Sequence, residues 1–132
     1  MINYTTDMST ITPDMLDTGF FVGWPNPPST TTHLQLLQSS YKAWVAIDDG
    51  KVIGFINAVS DGVLSAYIPL LEVVPAYQGK GIGKALTQHM LDSLNHLYMV
   101  DLLCDENMQN YYEKFNMYKA QGMLIRNYGS LK

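Results

Sequence analysis

The sequence predicts an α/β fold: a mixed, mostly antiparallel sheet containing one parallel strand pair, with helices on its faces. Two observations carry this. Residues 41–74 read as short apolar strands joined by turn signals, the pattern of antiparallel neighbours. Residues 70–104 read as strand, glycine-rich loop, amphipathic helix and strand, a unit that closes through a right-handed parallel crossover. The length of 132 residues, 47% hydrophobic and 15% charged, suits a single domain over 1–132 with one continuous core.

Taken in order, residues 2–5 alternate as a short first strand does. Thr12-Pro13 opens a helix, with threonine at the N-cap and proline at the first helical position. Asp14 and Asp17 sit near its positive end, and Gly19 stops it. The stretch Phe20-Phe21-Val22-Gly23-Trp24-Pro25-Asn26-Pro27-Pro28 is too interrupted by proline and glycine for a long regular element. It is either a lid over the core or a wall of a binding pocket. Ser29 or Thr30 caps a second helix reaching Gln38. Residues 41–47 and 52–59 pair across the hairpin turn Asp48-Asp49-Gly50-Lys51.

Ser60-Asp61-Gly62 breaks the chain before a strand over 65–74. Pro69 cannot donate to a ladder, so a bulge or an unpaired position is expected there. Ile82, Ala85, Leu86, Met90, Leu94 and Leu97 recur at helical spacing and give one apolar stripe facing a sheet. Residues 98–104 are nearly continuous in apolar residues, as a buried parallel strand should be. A helix over 108–115 then leads into a strand or hairpin around 123–125.

The chemistry concentrates where residues 70–74 run through Gln78-Gly79-Lys80-Gly81-Ile82-Gly83-Lys84 into a helix. A strand that passes through close glycines into a helix aims several backbone N–H groups at one point. The helix dipole adds positive character there, so the loop suits a phosphate or pyrophosphate. A Walker A loop fails twice, because its first glycine falls on Gln78 and its hydroxyl on Ala85. A dinucleotide fingerprint would need glycine at Lys84, although Asp101 lies at a suitable distance for a ribose contact. The pattern Gln/Arg-x-x-Gly-x-Gly/Ala is matched in full by residues 78–83.

That last pattern resembles the acyl-CoA pyrophosphate loop of GNAT-type N-acetyltransferases. A second stretch resembles the family's late Phe-Tyr-x-Lys-x-Gly-Phe helix: Tyr111-Tyr112 stands for Phe-Tyr and Lys114 matches. Asn116 replaces the glycine, a mild departure because asparagine tolerates a left-handed cap, and Met117 replaces the final aromatic. The resemblance implies the GNAT fold, with acetyl-CoA as cosubstrate wedged between a central pair of parallel strands that splay apart at residues 70–74 and 99–104. It implies backbone N–H groups near Val73 and Val74 on the thioester carbonyl, and Gln78, Gly79, Lys80, Gly81, Ile82, Gly83 and Lys84 around the pyrophosphate. It also implies Tyr112 as general acid to the leaving thiolate, with Tyr111 packing on the sheet.

The attacking amine must lose a proton, and a carboxylate can take it directly or through water. Glu72, flanked by apolar residues in a central strand, is one candidate and Asp101 another, and either could be a structural carboxylate instead. The expected activity is acetyl transfer from acetyl-CoA to a primary amine of a small molecule by direct attack in a ternary complex. Asp14 and Asp17 with Phe20, Phe21 and Trp24 point to a cationic, partly apolar acceptor. A non-catalytic acyl-CoA-binding module is the second reading, and a nucleotide-binding fold the third.

The net charge of −4 argues against a nucleic-acid surface. Cys104 is the only cysteine, so no intrachain disulfide forms, in keeping with a reducing cytoplasm. No run approaches membrane-spanning length and no signal segment is visible, so the expected location is cytoplasmic, without membrane partners. A homodimer is compatible with the chain. His33, His89 and His96 show no metal-ligand spacing, and no metal is expected. His89 and His96 read as solvent-side, while Cys104 and the scattered methionines read as apolar filling.

Overall fold

A computed structural model describes residues 1–130 of the chain. Among them β1 (Asn3–Thr5), β2 (Lys42–Asp48), β3 (Lys51–Ser60), β4 (Ser65–Val73) and β5 (Met99–Asp101) lie side by side in that order. The first four run antiparallel to their neighbours, and β4 and β5 are parallel. The expected mixed sheet is present. In the β2–β3 turn Asp48 pairs with Lys51, with Asp49 at φ 51° and Gly50 at φ 73°. Two positive φ values mark the tight hairpin turn whose twist matches its strands, and Asp-Gly adopts it at little cost.

Helices cover both faces. The first, α1 (Thr30–Ser39), begins at Ser29, whose hydroxyl accepts the Thr32 N–H at 3.1 Å. On its face of the sheet Leu37, Val45 and Phe55 pack with Ile11, Leu16 and Phe21. On the other face lies α2 (Ile82–Ser93), which places Ile82, Leu86 and Met90 against Ala46, Ile56, Ala58 and Ile68, with Leu94 and Leu97 just past its end. Gly54 allows this close approach. A Cβ there would meet Leu86 Cδ1 at 3.1 Å and Ile82 Cγ2 at 3.2 Å.

Pro69 has the effect its chemistry requires. Asn57 pairs with Leu70 and Val59 with Tyr67, so two residues, Ile68 and Pro69, stand opposite Ala58. One extra residue inverts the in–out alternation of a strand. Ahead of the bulge Ala66 and Ile68 pack on the α2 side; beyond it Leu71 and Val73 do. Leu70 therefore joins the α1-side cluster, and Glu72 lies beside Phe55 on that same face. Without the bulge Glu72 would face α2. The parallel ladder also ends here: β4 and β5 pair only from Ser65–Met99 to Tyr67–Asp101, and the two chains then diverge.

Several expectations need correction. The helix expected from Thr12 to Gly19 is a short 3₁₀ turn, Pro13–Leu16, since Thr12 makes no side-chain cap and nothing follows to propagate the turn. The strand expected over 98–104 is three residues long, with Met99 and Asp101 exposed, because it is an edge strand that loses its one neighbour after Asp101. The helix expected over 108–115 is α3 (Gln109–Glu113), entered through a 3₁₀ turn, Glu106–Met108. No strand forms around 123–125, where Met123, Leu124 and Ile125 are exposed. Met1, Met99, Met108 and Met123 are likewise at the surface, whereas Met90 is core. His89 is not solvent-side: it stacks on Trp44 at 4.5 Å between ring centres.

Candidate active site

Where β4 and the chain after β5 separate, a cleft of about 170 Å³ opens. Residues 68–72 form one wall, Leu102 and Leu103 the other, and Tyr112 of α3 closes one end. Glu72 and Tyr112, selected separately from the sequence, thus line the same space. Asp101 does not; it is exposed and borders a wider groove of about 810 Å³ beyond β5, shared with Cys104 and Tyr112.

Glu72 is half-buried, and burial pushes its carboxyl above the ordinary range. A hydrogen bond opposes that shift: the Phe21 N–H donates to Glu72 Oε1 at 2.9 Å. The donor sits in an unusual backbone. Phe21 has φ 63°, between Gly19 at 111° and Gly23 at 85°. A bulky residue in the left-handed region costs on the order of 1–3 kcal/mol and persists only where its surroundings hold it. The Phe21 ring is buried against Trp24, His33 and Phe55. The aromatic stretch is therefore a core lid whose backbone also reaches the cleft wall.

His33 completes that cluster, with its ring edge-on to Phe20 and Phe55. It is 2% exposed and its Nε2 has no hydrogen-bond partner among the described residues. Burial pushes its pKa down to about 4, so it is a neutral aromatic at ordinary pH. Among the described residues no cluster of His, Cys, Asp or Glu is arranged to hold a metal.

The two tyrosines of α3 diverge. Tyr112 faces the cleft, and burial, then Tyr111 and Cys104 beside it, raise its pKa to about 12. Tyr111 turns towards α2, its hydroxyl 3.3 Å from Thr87 Oγ1. Thr87 Oγ1 in turn donates to the Gly83 carbonyl at 2.8 Å. Asn116, at φ 65°, takes the left-handed position expected of a residue replacing glycine.

The glycine loop lies between β4 and α2. Val74 N–H donates to the Ile53 carbonyl at 2.9 Å, so by the alternation of an antiparallel ladder Val73 N–H points away from β3, to the side where the strands part. Gln78 Nε2 braces the turn by donating to the Val73 carbonyl at 2.9 Å. Gly79 at φ 79° and Gly81 at φ 83° take conformations costly for any L side chain, and space around both is open. The first hydrogen bond into α2 runs from Ala85 N–H to the Gly81 carbonyl. The N–H groups of Ile82, Gly83 and Lys84 precede it and point out of the helix end. Lys80 adds positive charge, its Nζ 5.0 Å from the Tyr77 ring centre, and exposed Lys84 lies one turn on. N–H donors at a helix start, with open space at Gly79 and Gly81 and two lysines nearby, suit a pyrophosphate.

The sequence reading missed the Phe21 N–H as the partner of Glu72, and His33 as a core residue. The one available signal was the dense aromatic run between Gly19 and Gly23, which marks a loop that packs inward.

Comparison with known proteins identifies the family of the fold. The model of the acetyltransferase (GNAT) family matches residues 11–117. The peptidyl-lysine N-acetyltransferase YiaC of Escherichia coli (strain K12) is 32% identical over 96 residues, covering 70% of this chain and 59% of YiaC. The chain thus spans little more than half the length of the curated relatives it matches. A Deinococcus radiodurans R1 protein, provisionally called an acetyltransferase, has a crystal structure that superposes with a TM-score of 0.92 at 43% identity, over 97% of this chain and 90% of that one. A GNAT family acetyltransferase of Streptococcus pneumoniae TIGR4 superposes with a TM-score of 0.75 at 29% identity, over 96% and 98%. The loop and the late helix noted in the sequence accordingly belong to one family, and the chain is a member of the GNAT acetyltransferases.

Proposed function

We propose that the chain transfers the acetyl group of acetyl-CoA to a primary amine of a small molecule by direct attack in a ternary complex. The observation that carries this is that Glu72 and Tyr112 line one cleft where the strands part. On this reading residues 78–84 hold the pyrophosphate and the Val73 N–H receives the thioester carbonyl oxygen. Val74, whose N–H is committed to Ile53, supports the loop from beneath.

The amine nitrogen attacks the thioester carbon, the C–N bond forms and the C–S bond breaks. The nitrogen gives up one proton, towards Glu72 or a water that Glu72 anchors. The sulfur leaves with the bonding pair, and the Tyr112 hydroxyl donates to it as charge builds there. Burial suits both groups, because it keeps the phenol protonated and makes the carboxylate a stronger base than a free one.

A second acceptor deserves the same test. YiaC acts on peptidyl-lysine, and a lysine ε-amine is chemically a primary amine. The experiment is a steady-state assay of thiol release from acetyl-CoA with small amines, polyamines and lysine-containing peptides in parallel. Intersecting initial-rate patterns with a small amine support the reading, and turnover confined to peptides moves the acceptor to peptidyl-lysine. Tight acetyl-CoA binding without turnover on any amine would make the chain an acyl-CoA-binding module.

A further inference from the structure

We infer that Glu72 is also a positioning residue, one that holds the aromatic segment 19–24 in place through the Phe21 backbone. The segment is pinned at its base, where Thr18 Oγ1 donates to the Val52 carbonyl at 2.7 Å. Beyond that point three of the next five residues have positive φ, and Phe21 is the one among them that is not glycine. A left-handed phenylalanine needs compensation. Its ring finds some against His33 and Phe55, and its N–H finds the rest in Glu72 Oε1 at 2.9 Å.

That hydrogen bond reaches across the fold, from residue 21 to residue 72. It exists because the bulge at Pro69 turns Glu72 to the α1 face. The second carboxylate oxygen accepts nothing from the described residues, while the side chain lines the cleft. One carboxylate therefore serves two ends: Oε1 holds the segment, and the side chain lines the cleft. Resting on the proposed amine transfer, this couples the placement of the aromatic core lid to the acceptor: whatever moves Glu72 moves the Phe21 backbone.

Amide hydrogen exchange read by NMR on the full chain, with Glu72→Gln and Glu72→Ala, tests the coupling. In Glu72→Ala the Phe21 amide should exchange at least about tenfold faster, while amides of α1 and β3 keep their protection. Glu72→Gln retains an accepting oxygen and should keep Phe21 protected. Should Glu72→Ala not fold, Glu72→Thr suits a strand yet cannot reach Phe21, and makes the same comparison. In turnover, the KM for the amine should rise several-fold more in the short variant than in Glu72→Gln, with the KM for acetyl-CoA little changed. Unchanged Phe21 exchange in the folded short variant overturns the positioning role, whatever the reaction proves to be. Equal amine KM values in the two variants, with Phe21 deprotected, overturn the coupling to the acceptor.

Discussion

At Tyr112 the magnitudes decide what kind of acid the residue can be. Its phenol, raised to about 12, faces a leaving thiolate whose ordinary pKa is about 8.5. Complete proton transfer to the departed thiolate would be uphill by on the order of 5 kcal/mol. The hydroxyl is therefore suited to donating a hydrogen bond that strengthens as the C–S bond breaks. Tyr112→Phe should lower kcat by about tenfold or more while leaving the KM for acetyl-CoA within a few-fold. Tyr111→Phe, whose hydroxyl meets Thr87, should cost much less, and the reverse ranking would shift the assignment by one residue. Glu72→Gln separates proton transfer from support. If the carboxylate takes the amine proton, the defect is largest at low pH, where most amine is protonated, and shrinks as pH rises. A pH–rate profile parallel to wild type would leave Glu72 only its bond to Phe21.

The glycine loop is the element where conformation rather than space makes the demand. A side chain at Gly81 would meet nothing within 4 Å, yet φ is 83° at the very start of α2. Gly81→Val should therefore leave a folded protein whose affinity for acetyl-CoA drops by more than about tenfold, about 1.4 kcal/mol, from a distorted N–H array. Calorimetry giving wild-type affinity in the folded variant would remove the loop from the binding site. Elements with local signals were legible in the sequence: the Asp49-Gly50 turn, the Ser29 cap, the α2 stripe and the bulge at Pro69. Elements whose form depends on a neighbour were not. The apolar run 98–104 looks buried, but β5 is an edge strand that stops when β4 turns away, and residues 123–125 find no strand to join. The site divides in the same way. Glu72 stood out as a charge in an apolar strand, whereas its donor, fifty-one residues earlier, carries no local mark.

At the scale of the molecule the two faces of the sheet differ in kind. The buried cluster on the α2 side is aliphatic, with Thr87 the one buried polar residue of α2 and Tyr4, Trp44 and Tyr77 at its margin, while the α1 side buries His33 and Asn57 and half-buries Glu72. Stability should therefore depend on pH through the α1 side. His33 has a folded pKa of about 4 against an ordinary 6.5, so the unfolded chain binds its proton first as pH falls. Above 6.5 the ring is neutral in both states and its titration contributes nothing, and stability is lost progressively between about 6.5 and 4. The separation of about 2.5 pH units corresponds to roughly 3 kcal/mol at most. Glu72 acts in the opposite sense: its raised folded pKa favours folding at low pH, and that contribution is lost as pH rises through it. Asp7, Asp48 and Asp61 are lowered, so their contributions last until pH falls below the ordinary carboxylate range, outside the His33 window. The wild-type Tm should accordingly fall on acidification from pH 6.5 to 4.5. His33→Phe keeps the aromatic packing against Phe20, Phe21 and Phe55, removes the unpartnered Nε2, and should flatten that slope. Thermal melts of both proteins across this range decide it, and an equally steep fall in His33→Phe would place the acid sensitivity elsewhere on the molecule.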